Sequence, residues 1–296
     1  MEKRAFGKTG LRVSVLGFGG AGIGIAQASQ EVVDRLLGAA LDSGVNVIDT
    51  AECYGSEESI GNAVFGRRQQ CYLFTKCGHS SGFDMASWDP ELIEPTIDRS
   101  LRRMRTDYLD LVQLHTCGED VLRRGEVISA LQKARDAGKT RFIGYSGDGE
   151  AARYAVESGA FDALQTSVSI ADQEAITLAL PLAREHGLGV IAKRPIANAA
   201  WKREERPGYA EGEYWDRLKV LDYDFLRDGD DERAVEIALR FTLGVPGVHT
   251  AIVGTTSPDH WRQNLSMVQS PSAEYDFQSI RERWQRVVDT NWTGQG

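Results

Sequence analysis

The sequence predicts an α/β fold, a (β/α)8 TIM barrel, and three observations predict it. Short apolar runs rich in β-branched residues alternate with amphipathic stretches eight times along the 296 residues. The runs are almost continuously apolar, as in strands buried on both faces, which favours a closed parallel barrel over a doubly wound sheet. No linker or low-complexity tract divides the chain, so we expect one domain over residues 1–296.

The eight predicted strands are short apolar runs bounded by turn-forming residues. In chain order they are 15–19, 46–50, 72–76, 109–115, 141–146, 163–168, 189–193 and 250–254. The predicted helices carry apolar residues at three- and four-residue spacing. They are 31–43, 57–65, 91–104, 126–137, 150–158, 174–186, 232–243 and one that begins at Pro258.

Local signals bracket these helices. Asp89 followed by Pro90 suits an N-cap and first helical position, because proline needs no hydrogen-bond partner for its nitrogen there. Glycines stand where four helices should end in a left-handed residue, at Gly44, Gly138, Gly159 and Gly187. Three segments are additions to the plain barrel: an N-terminal β-hairpin over 1–14, an irregular insertion after strand 7 over 197–228, and a C-terminal extra helix over 275–291.

Charge and composition exclude some classes of function. The formal net charge is -9 and no block of basic residues occurs, so we expect no nucleic-acid partner. No secretory signal and no apolar run of about 18 residues is present, so we expect no membrane association and a cytoplasmic location. The cysteines form no CxxC pair and are expected to be reduced. The sequence leaves the oligomeric state open.

Four chemically useful residues lie at or just past predicted strand ends: Asp49, Tyr54, Lys76 and His115. Because the active site of such a barrel forms at the carboxyl ends of its strands, we expect these side chains to share one pocket. Taken alone, Asp49 is explained by a helix cap and Tyr54 by a pocket wall. Lysine is rarely buried without a partner, and the four positions together indicate catalysis.

The four residues lie in motifs that resemble the aldo-keto reductase family. The motifs are DTAECYG over 49–55, FTKCG over 74–78, DLVQLH over 110–115 and IVGTTSPDHWRQN over 252–264. The resemblance extends almost from end to end and includes the N-terminal hairpin and the LGFGG first strand. It implies reduction of an aldehyde or ketone by hydride transfer from NADPH.

The resemblance also assigns roles within the site. Tyr54 is the proton donor, but a phenol with a pKa of about 10 needs a neighbour that favours its ionised form. Lys76 supplies that positive charge, and Asp49 holds the lysine in place and keeps it charged. His115, as a neutral imidazole, orients the carbonyl oxygen and donates to the charge that develops there.

Cofactor contacts follow from the same resemblance. Ser146 and Gln165 are expected to hold the nicotinamide carboxamide. Backbone NH groups at a helix N-terminus and nearby side chains are expected to hold the rest of the dinucleotide; these residues are Gly254, Thr255, Gln263 and Asn264. Gly20 and Ala21 are further expected contacts. Lys193 and Arg194, together with Arg262, can supply positive charge for phosphate.

The chain departs from the family pattern at four positions. Gly147 stands where the family often has asparagine, and Val168 stands where it often has the tyrosine that stacks on the nicotinamide. Gly254 and His260 correspond to the lysine and arginine that bind the 2′-phosphate. These last two departures weaken the case for a 2′-phosphate, but Lys193, Arg194 and Arg262 can supply positive charge from neighbouring loops. We predict NADP as the cofactor and leave NAD open.

Other features have plainer interpretations. The glycines of the first strand and the loop after it, Gly17 to Gly24, are not followed at Rossmann spacing by a helix and an acidic residue, so we interpret them as sites of close packing. Cys53, Cys77 and Cys117 neighbour the catalytic candidates and suggest zinc beside His115, but Cys77 follows Lys76 and points the opposite way, as a packing thiol. Cys53 and Cys117 can line the pocket as oxidation-sensitive thiols, and we predict no metal site. Six aromatic residues either wall the substrate pocket or pack the insertion: Phe18, Trp88, Trp201, Tyr209, Tyr214 and Trp215.

Two alternative functions stay open. The first is a nicotinamide-binding regulatory or sensor protein with little turnover, similar to the beta subunits of potassium channels. The second is an aldolase or dehydratase in which Lys76 forms a Schiff base. The expected substrate in the reductase interpretation is a small-molecule carbonyl compound of unspecified class.

Overall fold

Ten strands build the sheet structure of the residues that the structure describes. The computed structural model describes residues 1–270, 275–289 and 291–295, without the side chains of residues 209 and 210. An antiparallel hairpin of β1 (Lys3–Ala5) and β2 (Arg12–Ser14) precedes the barrel. The closed parallel barrel comprises β3 (Leu16–Gly19), β4 (Val47–Asp49), β5 (Tyr72–Cys77), β6 (Leu109–His115), β7 (Thr140–Ser146), β8 (Ala163–Ser167), β9 (Gly189–Lys193) and β10 (Thr250–Val253).

Helices surround the barrel and confirm the predicted alternation. They are α1 (Ala21–Ile25), α2 (Gln30–Asp42), α3 (Glu57–Val64), α4 (Pro90–Met104), α5 (Glu119–Arg124), α6 (Glu126–Asp136), α7 (Gly149–Glu157), α8 (Glu174–Leu178), α9 (Leu180–Glu185), α10 (Tyr209–Leu221), α11 (Asp224–Arg227), α12 (Asp231–Gly244), α13 (Pro258–Gln269) and α14 (Phe277–Val287). Within the described residues, no helix combines the length and the apolar character needed to cross a membrane.

The helix boundaries differ from prediction in a few places. The single helix expected over 174–186 is two helices, because Pro181 in the first turn of α9 cannot continue the hydrogen bonds of α8. The insertion is not irregular, since it holds a 3-10 helix (Ala197–Lys202) followed by α10 and α11. The short helices α1 and α5 were not predicted. α1 has the sequence AGIGI, and glycine has low helix propensity.

The hairpin closes the amino-terminal end of the barrel. Phe6 is fully buried and stacks on Phe74 of β5, with ring centroids 5.7 Å apart. Val13, Val47 and Leu111 belong to the same buried cluster. With this end filled by apolar side chains, the carboxyl ends of the strands form the open mouth of the barrel.

The predicted helix signals are confirmed. The Asp89 side chain accepts a hydrogen bond of 2.9 Å from the backbone NH of Glu91, and Pro90 begins α4. The four glycines at predicted helix ends have φ between 67° and 83°. Such left-handed conformations satisfy the last carbonyls of a helix with little strain only where no Cβ is present.

Candidate active site

The barrel mouth brings together the four residues that the sequence singles out. Lys76 of β5 donates from Nζ to Asp49 Oδ1 at 2.6 Å and to the backbone oxygen of Thr50 at 2.7 Å. The Lys76 and Asp49 side chains are each 2% exposed. Tyr54, in the loop after β4, places its Oη 3.3 Å from Nε2 of His115 at the end of β6.

Two glutamines support Asp49 from below. Gln113 of β6 donates to Asp49 Oδ2 at 3.5 Å, and Gln165 of β8 donates to Asp49 Oδ1 at 3.2 Å. Gln113 also donates to Gln165 Oε1 at 3.1 Å. Sequence reasoning missed Gln113, although it is a polar residue inside an apolar strand. It stands two residues before His115 and therefore points to the same face.

Burial and charge act against each other on Tyr54. Burial raises the pKa of the Tyr54 phenol, and the positive charge of Lys76 opposes that rise. The Lys76 ammonium lies 5.3 Å from the centre of the Tyr54 ring. Burial alone would lower the pKa of Lys76, but Asp49 raises it on balance. The site therefore holds a protonated phenol beside a charged lysine at neutral pH, as a proton donor requires.

His115 is a neutral imidazole in this setting. Burial, reinforced by the charge of Lys76, lowers the pKa of His115 to about 2. Its Nδ1 lies 3.6 Å from Cys53 Sγ, opposite the contact of Nε2 with Tyr54. A neutral ring can donate a hydrogen bond to a carbonyl oxygen without competing for the proton that Tyr54 carries.

Backbone features fix the two loops that carry the site. Gly24 of α1 packs so closely on the loop after β4 that a Cβ there would lie 2.1 Å from the carbonyl oxygen of Tyr54. A Cβ on Gly17 or Gly20 would lie 3.0 or 2.9 Å from a neighbouring side chain, a milder crowding that supports their interpretation as packing positions, whereas a Cβ on Gly22 would meet no neighbouring atom closer than 4.0 Å. Thr116, directly after His115, has φ of 61°, an uncommon conformation for a β-branched residue. Its backbone NH donates a hydrogen bond of 2.7 Å to the carbonyl oxygen of Ser146, and this bond holds the strained turn.

The residues expected to bind the dinucleotide occupy two parts of the mouth. Gly254 and Thr255 lie in the loop between β10 and α13, and a Cβ on Gly254 would lie 2.8 Å from the carbonyl oxygen of Gly19. Gly20 and Ala21 are at the start of α1 beside this loop. On α13, Gln263 is exposed and donates to Glu232 at 3.1 Å, whereas Asn264 is buried.

On the opposite side of the mouth, the expected contacts are engaged with protein groups. Gln165 bonds to Asp49, as described above, and Ser146 is buried. Lys193 pairs with Asp148 at 2.8 Å and also donates 3.2 Å to the backbone oxygen of Gln295. Arg194 donates to that same oxygen. The segment 291–295 thus lies against the ends of β8 and β9, which no sequence signal indicated.

Two of the departures from the family pattern have structural reasons. A Cβ on Gly147 would lie 2.4 Å from the Tyr145 hydroxyl, which fills that space and donates 2.7 Å to the carbonyl oxygen of Cys117. Val168 is fully buried in the core and supplies no ring for stacking on a nicotinamide.

The aromatic residues divide between packing and lining. Phe18 is buried against Trp261 with ring centroids 5.3 Å apart, and Tyr214 is fully buried. Trp88 lies at the mouth, where its ring is 4.7 Å from that of His79. The side chain of Tyr209 lies outside what the structure describes.

Below the segment 291–295, a buried carboxyl group predicts a pH dependence of stability. Burial, and then the charge of Asp148, raise the pKa of Asp172 to about 7, while Arg217, the backbone NH of Gln295 and the hydroxyl of Tyr214 oppose the rise. The folded state therefore holds this proton between about pH 4 and pH 7, where the unfolded chain has released it, so the contribution of Asp172 to stability falls as the pH rises through that window.

We expect Asp172→Asn to flatten this part of the pH profile, because an amide keeps similar hydrogen bonds without titrating. Thermal melts of both proteins from pH 4 to pH 8 measure the difference. An exposed control, Asp276→Asn, should leave the slope unchanged. A slope in the Asp172→Asn variant as steep as in the unmodified protein would contradict the assignment.

Comparisons with known proteins found a matching family model, similar sequences and similar structures. The model of the aldo/keto reductase family matches residues 15–285. L-galactose dehydrogenase of Arabidopsis thaliana is 29% identical over 287 residues, which cover 90% of this chain and 88% of that enzyme. NADH-specific methylglyoxal reductase of Escherichia coli is 27% identical over 95% of this chain and 98% of its own. The holo form of aldo-keto reductase AKR11C1 from Bacillus halodurans has a TM-score of 0.83 at 29% identity, covering 98% of this chain and 99% of that one.

Proposed function

Since the chain belongs to the aldo/keto reductase family, we propose that it reduces an aldehyde or ketone to the alcohol with NADPH. One observation carries this proposal: the 2.6 Å ion pair of Lys76 and Asp49 lies next to Tyr54, whose hydroxyl is 3.3 Å from His115. We take the whole of residues 1–296 as one domain.

Each of the four side chains has a task in this proposal. A reduced nicotinamide, when bound, supplies hydride to the carbonyl carbon. Tyr54 gives its phenolic proton to the carbonyl oxygen, and Lys76 stabilises the phenolate that is left behind. Asp49 keeps Lys76 charged and oriented, and His115 donates to the carbonyl oxygen to position it.

The residues at α13 fit the phosphate end of a dinucleotide. α13 has Ser257 as its N-cap, and the exposed loop before it carries Gly254 within close reach of Gly19. Backbone NH groups there and the positive end of the helix dipole suit a pyrophosphate. At the other end of the cofactor, Ser146 and Gln165 would hold the nicotinamide carboxamide. Lys193 and Arg194 would give up their hydrogen bonds to Gln295 and place their positive charge near a cofactor phosphate.

We predict that NADPH binds more tightly than NADH because of Arg262. This side chain is 69% exposed on α13, and its surface ion pair with Asp259 is a weak competitor for a phosphate. Arg262→Ala should weaken NADPH binding by about tenfold, the equivalent of about 1.4 kcal/mol, and leave NADH binding unchanged. Fluorescence titration with each cofactor measures both constants.

Arg286→Ala, a change on α14, serves as the matched control and should leave both constants unchanged. Equal affinity of the unmodified protein for the two cofactors would contradict the predicted preference for NADPH, and tighter binding of NADH would favour NAD. One relative, the methylglyoxal reductase, is NADH-specific by name, which is why NADH is included in the titration.

The lysine nucleophile of the Schiff-base alternative does not suit this site. Such a lysine must be free of its proton, but Asp49 raises the pKa of Lys76. Its Nζ also donates to both Asp49 and Thr50, which leaves little freedom for attack.

Steady oxidation of NADPH across a broad carbonyl panel tests the proposed function. Turnover with at least one class of carbonyl compound is the expected result. Tight cofactor binding with negligible turnover across the panel would instead favour the sensor function. A small-molecule substrate and a cytoplasmic location complete the proposal.

A further inference from the structure

Three potential metal ligands converge at the barrel mouth from three neighbouring strand ends. Cys53 lies in the loop after β4, His79 just after β5 and His115 at the end of β6. The sulfur of Cys53 and one ring nitrogen from each histidine lie within 4.8 Å of one another. We propose that Cys53, His79 and His115 form a binding site for Zn²⁺.

The donor set and its spacing support this assignment. One sulfur and two imidazoles are the ligands that zinc prefers, and bonds of about 2.0–2.3 Å place tetrahedral ligands roughly 3.3–3.7 Å apart. Cys53 Sγ and His115 Nδ1 already lie 3.6 Å apart. The ring centroids of His79 and His115 are 4.9 Å apart and the two rings are nearly perpendicular. Small side-chain rotations can therefore bring a ring nitrogen of His79 into the coordination shell as the third donor.

The surroundings permit both entry and coordination. Cys53 is exposed and His79 half-buried, so an ion can approach from solvent. The positive charges of the nearby lysines are partly offset by ion pairs, that of Lys76 by Asp49 and that of Lys193 by Asp148. Binding releases the thiol proton of Cys53 to solvent as the sulfur–zinc bond forms, with no change of oxidation state.

The remaining contact of His115 suits a ligand. With Nδ1 on the metal, Nε2 carries the hydrogen and donates to Tyr54 Oη, the kind of outer contact that orients metal-bound imidazoles. Three protein ligands leave one coordination position open. The ion would lie on the Nδ1 side of His115 and commit the Nε2 hydrogen to Tyr54 rather than to the carbonyl. Zinc should therefore inhibit turnover reversibly; this consequence, unlike binding itself, rests on the proposed function.

The sequence predicts no metal site, because the orientation of Cys77 argues against zinc and the approach of Cys53 to His115 cannot be read from spacing. Cys77 is buried in the core, on the other face of β5 from Lys76. The actual partners come from loops. Their approach depends on the path of residues 50–54 and 78–80, which sequence spacing does not fix.

Zinc titration of the full chain, in competition with a chromogenic chelator, tests the site. We expect one equivalent to bind, and Cys53→Ser or His79→Ala to weaken binding at least tenfold. His260→Ala removes an exposed histidine of α13 and should leave the affinity unchanged. Unchanged affinity in both the Cys53→Ser and the His79→Ala variants would overturn the proposal.

Cobalt substitution provides a second readout that does not depend on activity. Co²⁺ bound here should show thiolate-to-metal charge-transfer absorption, and Cys53→Ser should abolish it. Absorption that persists in this variant would also overturn the proposal. If zinc binds as expected and no carbonyl is ever reduced, the metal site stands and the proposed function fails.

Discussion

Replacing Tyr54 by phenylalanine is expected to lower kcat by two or more orders of magnitude. In the proposed function the substitution removes the phenolic proton that the carbonyl oxygen receives, and loss of a general acid typically costs 10²–10⁴-fold. The described hydrogen bond of the Tyr54 hydroxyl is the 3.3 Å contact with His115, so the fold should tolerate its loss. Steady-state kinetics with the best carbonyl substrate measure the effect.

Cofactor affinity separates a chemical defect from a binding defect in this variant. Fluorescence titration should give a dissociation constant for NADPH close to that of the unmodified protein, because the role proposed for Tyr54 concerns the substrate oxygen and not the cofactor. Tyr154→Phe, on α7 away from the mouth, is the matched control and should retain full activity. Full activity of Tyr54→Phe itself would refute the role of the phenol.

The strand ends could be predicted because their signals are local. Apolar runs gave strand bounds within about two residues of those observed, and a barrel requires that Asp49, Lys76 and His115 then meet at one mouth. The register between neighbouring strands, which the sequence does not specify, shows which residues lie side by side. His115, Ser146 and Gln165 pair across β6, β7 and β8 and stand at one level.

What could not be predicted depends on contacts between distant segments. Gln295 reaches Lys193 across more than one hundred residues of chain, and no periodicity encodes such a contact. Cys53 and His79 meet His115 through loops, whose conformation follows from turns and packing more than from residue type. Lys76 was expected to make Tyr54 more acidic overall, and it does act in that direction, but the burial of the pocket outweighs it.

Replacing Lys76 by methionine is expected to affect both stability and turnover. The substitution leaves Asp49 buried without its cation, and breaking a buried ion pair from one side costs about 3–5 kcal/mol. It also leaves the phenolate of Tyr54 without the positive charge that stabilises it, so kcat should fall by about 10²-fold or more. Chemical denaturation and steady-state kinetics measure the two effects.

The double variant Asp49→Asn with Lys76→Met separates these effects. Removing both charges leaves no unpaired ion, and Gln113 and Gln165 can still bond to the side chain at position 49, so stability should return to within about 1 kcal/mol. Turnover should stay low, because the phenol still lacks its ammonium. Lys139→Met, which breaks a surface contact with Glu94 and Asp98, should change neither quantity by much. Recovery of turnover together with stability would show that Lys76 only supports the fold and that Tyr54 loses its proton without help.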